Sequence, residues 1–304
     1  MSSETLARAA EYKKTAEKKL KGWGVFSNRY EDAAEYWEKA ANNYKLGKAW
    51  PDAAECYMQL AACNLKLDSK HDAATSFVEA SKCAAKGPNA DQAPKMLSQA
   101  VALYTDLGRL NMAARQLRDI AEMAEKSDSK AEAMMYYDQA ADLFETEGST
   151  SEASKCKLKI AEFAAEAGDY VRACAIFEDA ARRAVDNHLL KFSARGYLLN
   201  AGICYLCCAT SDDLEIKLSK FKDLDINFDG SREAILVEAC IEAFKNLDGT
   251  SVERFSNALA EFDRMIRIDA WKTKILLVAK RRMESMIEGG GGPDGDGDED
   301  DELL

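Results

Sequence analysis

Proline is almost missing from this sequence, with four copies in 304 residues, at positions 51, 88, 94 and 293. Glycine is sparse too: six of its 17 copies fall within 289–304, which leaves eleven for the first 288 residues. Average proteins use about 12% of the two together, so turn-dense all-β architectures are excluded there. Histidine occurs only as His71 and His188, and no P-loop, GxGxxG, GxSxG or HExxH spacing is present, which leaves the commonest catalytic frameworks without their residues. Long apolar runs are absent as well. The longest uncharged, mainly apolar stretch, 196–210, is interrupted by Asn200 and is too short to cross about 30 Å of hydrocarbon. Any membrane contact is therefore expected to be peripheral. Base is in deficit, 41 Lys+Arg against 53 Asp+Glu, for a net charge of −12, which argues against a general nucleic-acid binder.

Nine cysteines are present, but they fall inside helical patterns, and the opening Met1-Ser-Ser-Glu-Thr-Leu-Ala-Arg8 lacks the apolar centre of a signal peptide. A reducing, cytoplasmic setting is expected rather than a disulfide framework. Cys204, Cys207 and Cys208 form a CxxCC with no second pair to complete a zinc site. They are predicted to be core cysteines, the two histidines surface or capping residues, and the chain free of metal and cofactor.

What the sequence does have is a repeat. Alanine recurs at 33, 53, 73, 93, 113, 133, 153 and 173, eight times at a spacing of twenty. Four residues after each comes Trp37, Tyr57, Phe77, Leu97, Leu117, Tyr137, Lys157 and Phe177; positions seven and eight after it are mostly alanine or aliphatic. This stripe at i, i+4, i+7 and i+8 is that of an amphipathic helix with one buried face. Between stripes lie short polar breaks at Gly47, Gly87, Gly108, Gly148 and Gly168, glycine being able to close a helix in the left-handed conformation. Each unit is then a helix of about fifteen residues and a tight turn, and two units make an antiparallel hairpin of about forty, close to tetratricopeptide or HEAT lengths. The chain is predicted to be all-α: four stacked hairpins over 30–186, a tetratricopeptide-like helical-hairpin solenoid. Beyond 186 the period fades, but helical patterns continue at 189–208, 214–224, 232–247, 252–265 and 270–287. Thr250-Ser-Val-Glu253 has capping-box spacing, and Asp269 is a candidate N-cap. The expected domains are 1–186, a C-terminal helical bundle at 187–288, and an acidic tail at 289–304 whose seven carboxylates and six glycines predict disorder.

Three constellations stand outside the periodic faces. Lys21-Gly22-Trp23-Gly24-Val25-Phe26-Ser27-Asn28 places apolar side chains in a glycine-bearing turn; they either pack back on the first helix pair or dip into a bilayer. Arg115, Lys155 and Arg195 recur forty apart, with Arg109, Arg118 and Lys159 close by. That row is either an ordinary solvated face or, in a chain otherwise acidic, the docking face of an elongated acidic partner. The end, Asp298-Glu-Asp-Asp-Glu-Leu-Leu304, is either a solubilising tail or a short linear motif.

Taken together, Asp68-Ser-Lys-His-Asp-Ala-Ala74, Leu103-Tyr-Thr-Asp-Leu-Gly-Arg109, Leu189-Leu-Lys-Phe-Ser-Ala194, Asp269-Ala-Trp-Lys-Thr273 and the acidic end closing in leucine resemble the alpha branch of the soluble NSF attachment proteins, across essentially the whole chain. The resemblance implies a twisted sheet of antiparallel helical hairpins with a C-terminal bundle. It implies a non-enzymatic cytosolic adaptor that coats the four-helix SNARE bundle and recruits the hexameric AAA+ ATPase NSF to pull it apart. Carried over by position, it implies SNARE contact at Arg109, Arg115, Lys155, Lys159 and Arg195. It further implies weak membrane contact at Trp23, Val25 and Phe26, and ATPase contact at Asp298, Glu299, Asp300, Asp301, Glu302, Leu303 and Leu304. The sequence departs from the family in a longer Gly/Asp stretch before the tail, and in Lys245 and Asn246 near Glu242, where acids are expected. Two alternatives remain at this level: a tetratricopeptide-like scaffold, perhaps of the gamma branch, with other cargo, and a prenyltransferase-like helical-repeat enzyme, which would need metal ligands.

Overall fold

The computed structural model describes residues 2–22, 28–187, 190–245 and 247–289. Among them there are fourteen α-helices and no strand: α1 (Ser2–Lys21), α2 (Arg29–Leu46), α3 (Trp50–Lys66), α4 (Lys70–Ala84), α5 (Ala93–Asp106), α6 (Leu110–Lys126), α7 (Lys130–Thr146), α8 (Thr150–Glu166), α9 (Tyr170–Val185), α10 (Lys191–Leu206), α11 (Ser211–Leu224), α12 (Arg232–Lys245), α13 (Ser251–Met265) and α14 (Ala270–Gly289). The eight repeat units correspond to α2 through α9, and the five later patterns to α10 through α14. Helix α1 lies ahead of the alanine series; it buries Ala9 and Ala16 and packs on α2.

The repeat positions behave as an amphipathic helix requires. All eight alanines of the series are fully buried, and seven of the eight residues four places on are buried beside them. Alanine lets neighbouring backbones approach, and large side chains such as Trp37 and Tyr44 of α2 or Tyr137 and Phe144 of α7 fill the remaining space, interiors being packed at near-crystalline density. Lys157 is the exception. It is partly exposed, and its ammonium meets Glu145 Oε1 of α7 at 2.8 Å, so that the stem covers apolar surface while the charge stays wet.

The turns explain the twenty-residue period better than glycine does. Lys48, Asp68, Gly108, Asp128, Gly148 and Gly168 all have positive φ. The next residue's N–H returns to a carbonyl five back in each: Ala49 to Tyr44, Ser69 to Asn64, Arg109 to Tyr104, Ser129 to Ala124, Ser149 to Phe144 and Asp169 to Ala164, at 2.8 to 3.0 Å. This is a left-handed helix closure of the Schellman kind. Position 88 is proline, which cannot take positive φ, and there a 3₁₀ turn, Ala90–Gln92, replaces the closure. Two of the expected left-handed glycines are therefore corrected. Gly47 has φ −77 and lies against Leu6, whose side chain would have to shift to admit a Cβ at 2.5 Å from its Cδ2; Gly87 lacks the closure too, and its Cβ would press on Trp50 at 3.3 Å.

The described residues form two compact units, one ending at Lys159 and the other beginning at Ile160, divided within α8. In the first, consecutive helices from α1 to α7 pack on one another. In the second, α10 is the hub, touching α9, α11, α12 and α14. Gly202 of α10 permits that contact, because a Cβ there would meet Val237 of α12 at 3.0 Å. Asp269 caps α14, its Oδ1 accepting from the Lys272 N–H at 2.8 Å. The capping box at Thr250 does not form: the Thr250 hydroxyl makes no cap hydrogen bond to α13 and instead donates, with the Thr250 N–H, to Asp248 Oδ1 at 2.7 Å.

Candidate interaction surface

Pairs of side chains 34 residues apart link α2 to α4 and α6 to α8 in the first unit. Lys45 of α2 meets Glu79 of α4 at 2.5 Å. Arg118 of α6 meets Glu152 of α8 at 2.6 Å, and Glu125 of α6 meets Lys159 of α8 at 3.2 Å. Side chains on helices separated by a hairpin thus reach one another, joining a residue late in the earlier helix to one six or seven places nearer the start of the later helix. Arg115 and Lys155 are each the sixth residue of their helix, the same place in two alternate units of the repeat, and both are exposed.

The basic row is interleaved with acid. Glu152 bridges Arg118 and Lys155, its Oε1 lying 2.6 Å from Lys155 Nζ. The Lys155 ammonium, hydrogen-bonded to it, and the Arg118 guanidinium hold its carboxyl below the ordinary range. Glu125 receives the Lys159 ammonium on one oxygen and the Tyr137 hydroxyl, at 3.0 Å, on the other. Arg109, in the turn before α6, and Arg115 are exposed and have no ion-pair partner among the described residues. Surface pairs of this kind contribute about 0–1 kcal/mol, so a partner's carboxylates can replace Glu152 at little cost. Arg195, on α10, is half-buried and belongs to the second unit. The two glutamates were not singled out from the sequence; the 34-residue spacing of opposite charges was the signal available.

Trp23, Val25 and Phe26 lie outside the described residues, as do Asp298, Glu299, Asp300, Asp301, Glu302, Leu303 and Leu304. The flanks of the first segment are defined: α1 ends at Lys21, and Asn28 caps α2 by accepting from the Tyr30 N–H at 3.1 Å. Near Glu242, Lys245 meets Glu215 at 2.5 Å with Glu242 and Asp212 close enough to support its charge; Asn246 is outside the described residues. The departure from an all-acidic surface is therefore a lysine that neutralises part of it.

No group of His, Cys, Asp and Glu among the described residues can hold a metal ion, and none of the described helices is long and apolar enough to cross a membrane. Cys204 and Cys207 are buried, whereas Cys208 is exposed, which corrects its assignment to the core. Burial pushes the Cys207 thiol up to about 12. His71 is on the surface as expected, its ring 5.9 Å from Tyr104; His188 is outside the described residues.

Helical repeats with a charged face built across alternate helices define a helical-repeat scaffold. The chain belongs to the soluble NSF attachment protein family, whose profile matches residues 7–284. It is 38% identical to the alpha-soluble NSF attachment protein of Vitis vinifera over 283 residues, covering 93% of this chain and 96% of that one. It is 36% identical to the beta-soluble NSF attachment protein of Bos taurus, covering 96% of each. To the probable vesicular-fusion protein sec17 homolog of Neurospora crassa it is 33% identical, over 90% of this chain and 94% of that one. Members of this family are non-enzymatic adaptors.

Proposed function

We propose that this chain is the adaptor that binds the assembled SNARE four-helix bundle and recruits and stimulates the hexameric ATPase NSF for SNARE disassembly in vesicle fusion and membrane traffic. The names of its relatives, attachment to NSF and vesicular fusion, support that reading. The observation that carries it is that Arg115 and Lys155 are exposed cations at the same position of alternate helices in a net acidic chain, a repeated basic feature that suits an elongated acidic bundle. Arg109, Lys159 and Arg195 are assigned to the same contact. The protein is assigned to the cytoplasm, held peripherally at membranes through the SNAREs, with Trp23, Val25 and Phe26 adding weak apolar contact with the bilayer.

The seven tail carboxylates give the ATPase contact its rate and orientation, because charge acts more on association than on residence. Leu303 and Leu304 then hold the docked end, at roughly 1.5–3 kcal/mol for each fully buried side chain. Changing both to Ala is expected to leave SNARE binding intact, lower ATP turnover and stall disassembly. A chain ending at Glu288 that stimulates the ATPase as well as the full chain would overturn the assignment. Removing the rings of Trp23 and Phe26 is expected to slow disassembly of SNAREs held in liposomes far more than that of the same SNAREs in detergent. Equal loss in both settings would make the segment part of the fold instead.

A further inference from the structure

The cleft between α13 and α14 is a groove of about 430 Å³ that none of the assignments above uses. Its wall is apolar, from Leu259 and Ile268 on one side and Leu276 and Leu277 on the other, and Leu277 is 46% exposed. Two cations, Arg267 and Lys280, stand at its rim with no ion-pair partner among the described residues. That sets them apart from the other lysines of α14, since Lys272 pairs with Asp269 and Lys274 with Glu166 at 2.8 Å. The one acid in the groove, Asp263, has an oxygen occupied by the Ile268 N–H at 2.7 Å. An apolar slot flanked by unpaired positive charge suits a short acidic segment that ends in aliphatic side chains.

This chain carries such a segment. Five consecutive carboxylates, Asp298 to Glu302, precede Leu303 and the terminal Leu304, and fifteen residues follow Gly289 at the end of α14. Leu277 lies twelve residues, about 18 Å, back along that helix. Fifteen residues can span up to about 50 Å, so the end of the chain can return to the groove with length to spare. Tethering makes the encounter intramolecular, at an effective concentration on the order of millimolar, so that a small contact suffices. We propose that the C-terminal segment 298–304 docks in the α13–α14 groove of its own chain, its leucines in the slot and its carboxylates on Arg267 and Lys280. On the functional reading above, the groove then withholds the tail until the ATPase competes for it; the docking itself does not depend on that reading.

Zero-length carbodiimide coupling of the full chain, alone in low salt and without SNAREs or ATPase, tests this by joining carboxylates directly to lysine amines in contact with them. Peptide mapping of the monomer fraction is expected to find Lys280 joined to one of residues 298–302 at least five-fold more often than Lys272 or Lys274. Leu277→Asp, or Leu303→Ala with Leu304→Ala, is expected to reduce that product at least five-fold with helicity and melting unchanged. Arg267→Glu is expected to reduce it too, and Arg267→Glu combined with Asp300→Lys to restore it. Tail carboxylates spread evenly over the surface lysines, or no product at Lys280, would overturn the proposal. So would a Lys280 product confined to the dimer fraction, since the groove would then take the tail of a second copy. Because no ATPase is present, failure here leaves the adaptor reading standing, and failure of ATPase stimulation leaves this one standing.

Discussion

Reversing Arg115 to Glu is expected to weaken binding of the acidic SNARE bundle by roughly ten-fold or more at low salt, since the group is exposed and has no ion-pair partner among the described residues. Removing Lys155 by Ala is expected to cost less, because its ammonium must first leave Glu152, 2.6 Å away. Changing Glu152 to Gln is expected to act in the opposite sense. It releases Arg118 and Lys155 together and should tighten binding several-fold, which a face of merely structural ion pairs would not do. These differences should shrink between 0.1 M and 1 M salt, as the screening length falls from about 10 Å to about 3 Å. Affinity measured by anisotropy at both salts, with far-ultraviolet circular dichroism as the fold control, decides the matter. Binding that ignores both salt and Arg115 would remove this face from the reading.

Replacing Phe177 by Ala is expected to destabilise the second unit by about 3–5 kcal/mol, the cost of deleting a fully enclosed ring and leaving a cavity. The ring is 0% exposed and meets Trp271 edge-on, at 5.5 Å between centroids. Trp271 in turn donates its indole N–H to the Glu162 carbonyl at 3.0 Å. One aromatic pair therefore fastens the start of α14 to α8 and α9. Lys157 occupies the same repeat position one helix earlier, yet its change to Ala is expected to cost about 1 kcal/mol or less, because an ion pair of this exposure contributes little. Urea midpoints for the two variants make the comparison; a loss at Phe177 no larger than at Lys157 would mean that the Phe177 ring does not anchor the packing of α14.

Those two residues show how far the sequence could be read. The twenty-residue alanine series identified eight helices and their buried faces, because a period of that length leaves room for one helix and one turn only. It did not reveal α1, whose Ala9 and Ala16 stand seven apart but outside the series. Nor did it reveal that Lys48, Asp68 and Asp128 take the left-handed turn position. Glycine marks such a position when it is present, but Asp and Lys there look like any polar turn residue. The charged face was legible as a row of cations at forty-residue spacing. Its acids escaped because Glu152 and Glu125 act across helices that are neighbours in space and 34 residues apart in sequence.

By itself, then, the sequence determined an all-helical chain of hairpins, the alanines at the helix contacts and the family, since periodicity, helix breakers and local motifs are all short-range properties. Tertiary structure alone decided which cations are already paired, that Gly47 lies against Leu6, how Trp271 reaches Glu162 across 109 residues, and where Arg267 and Lys280, unpaired among the described residues, stand beside an apolar groove. Each of these depends on side chains brought within a few ångströms by packing between distant segments, a distance that no spacing along one chain encodes.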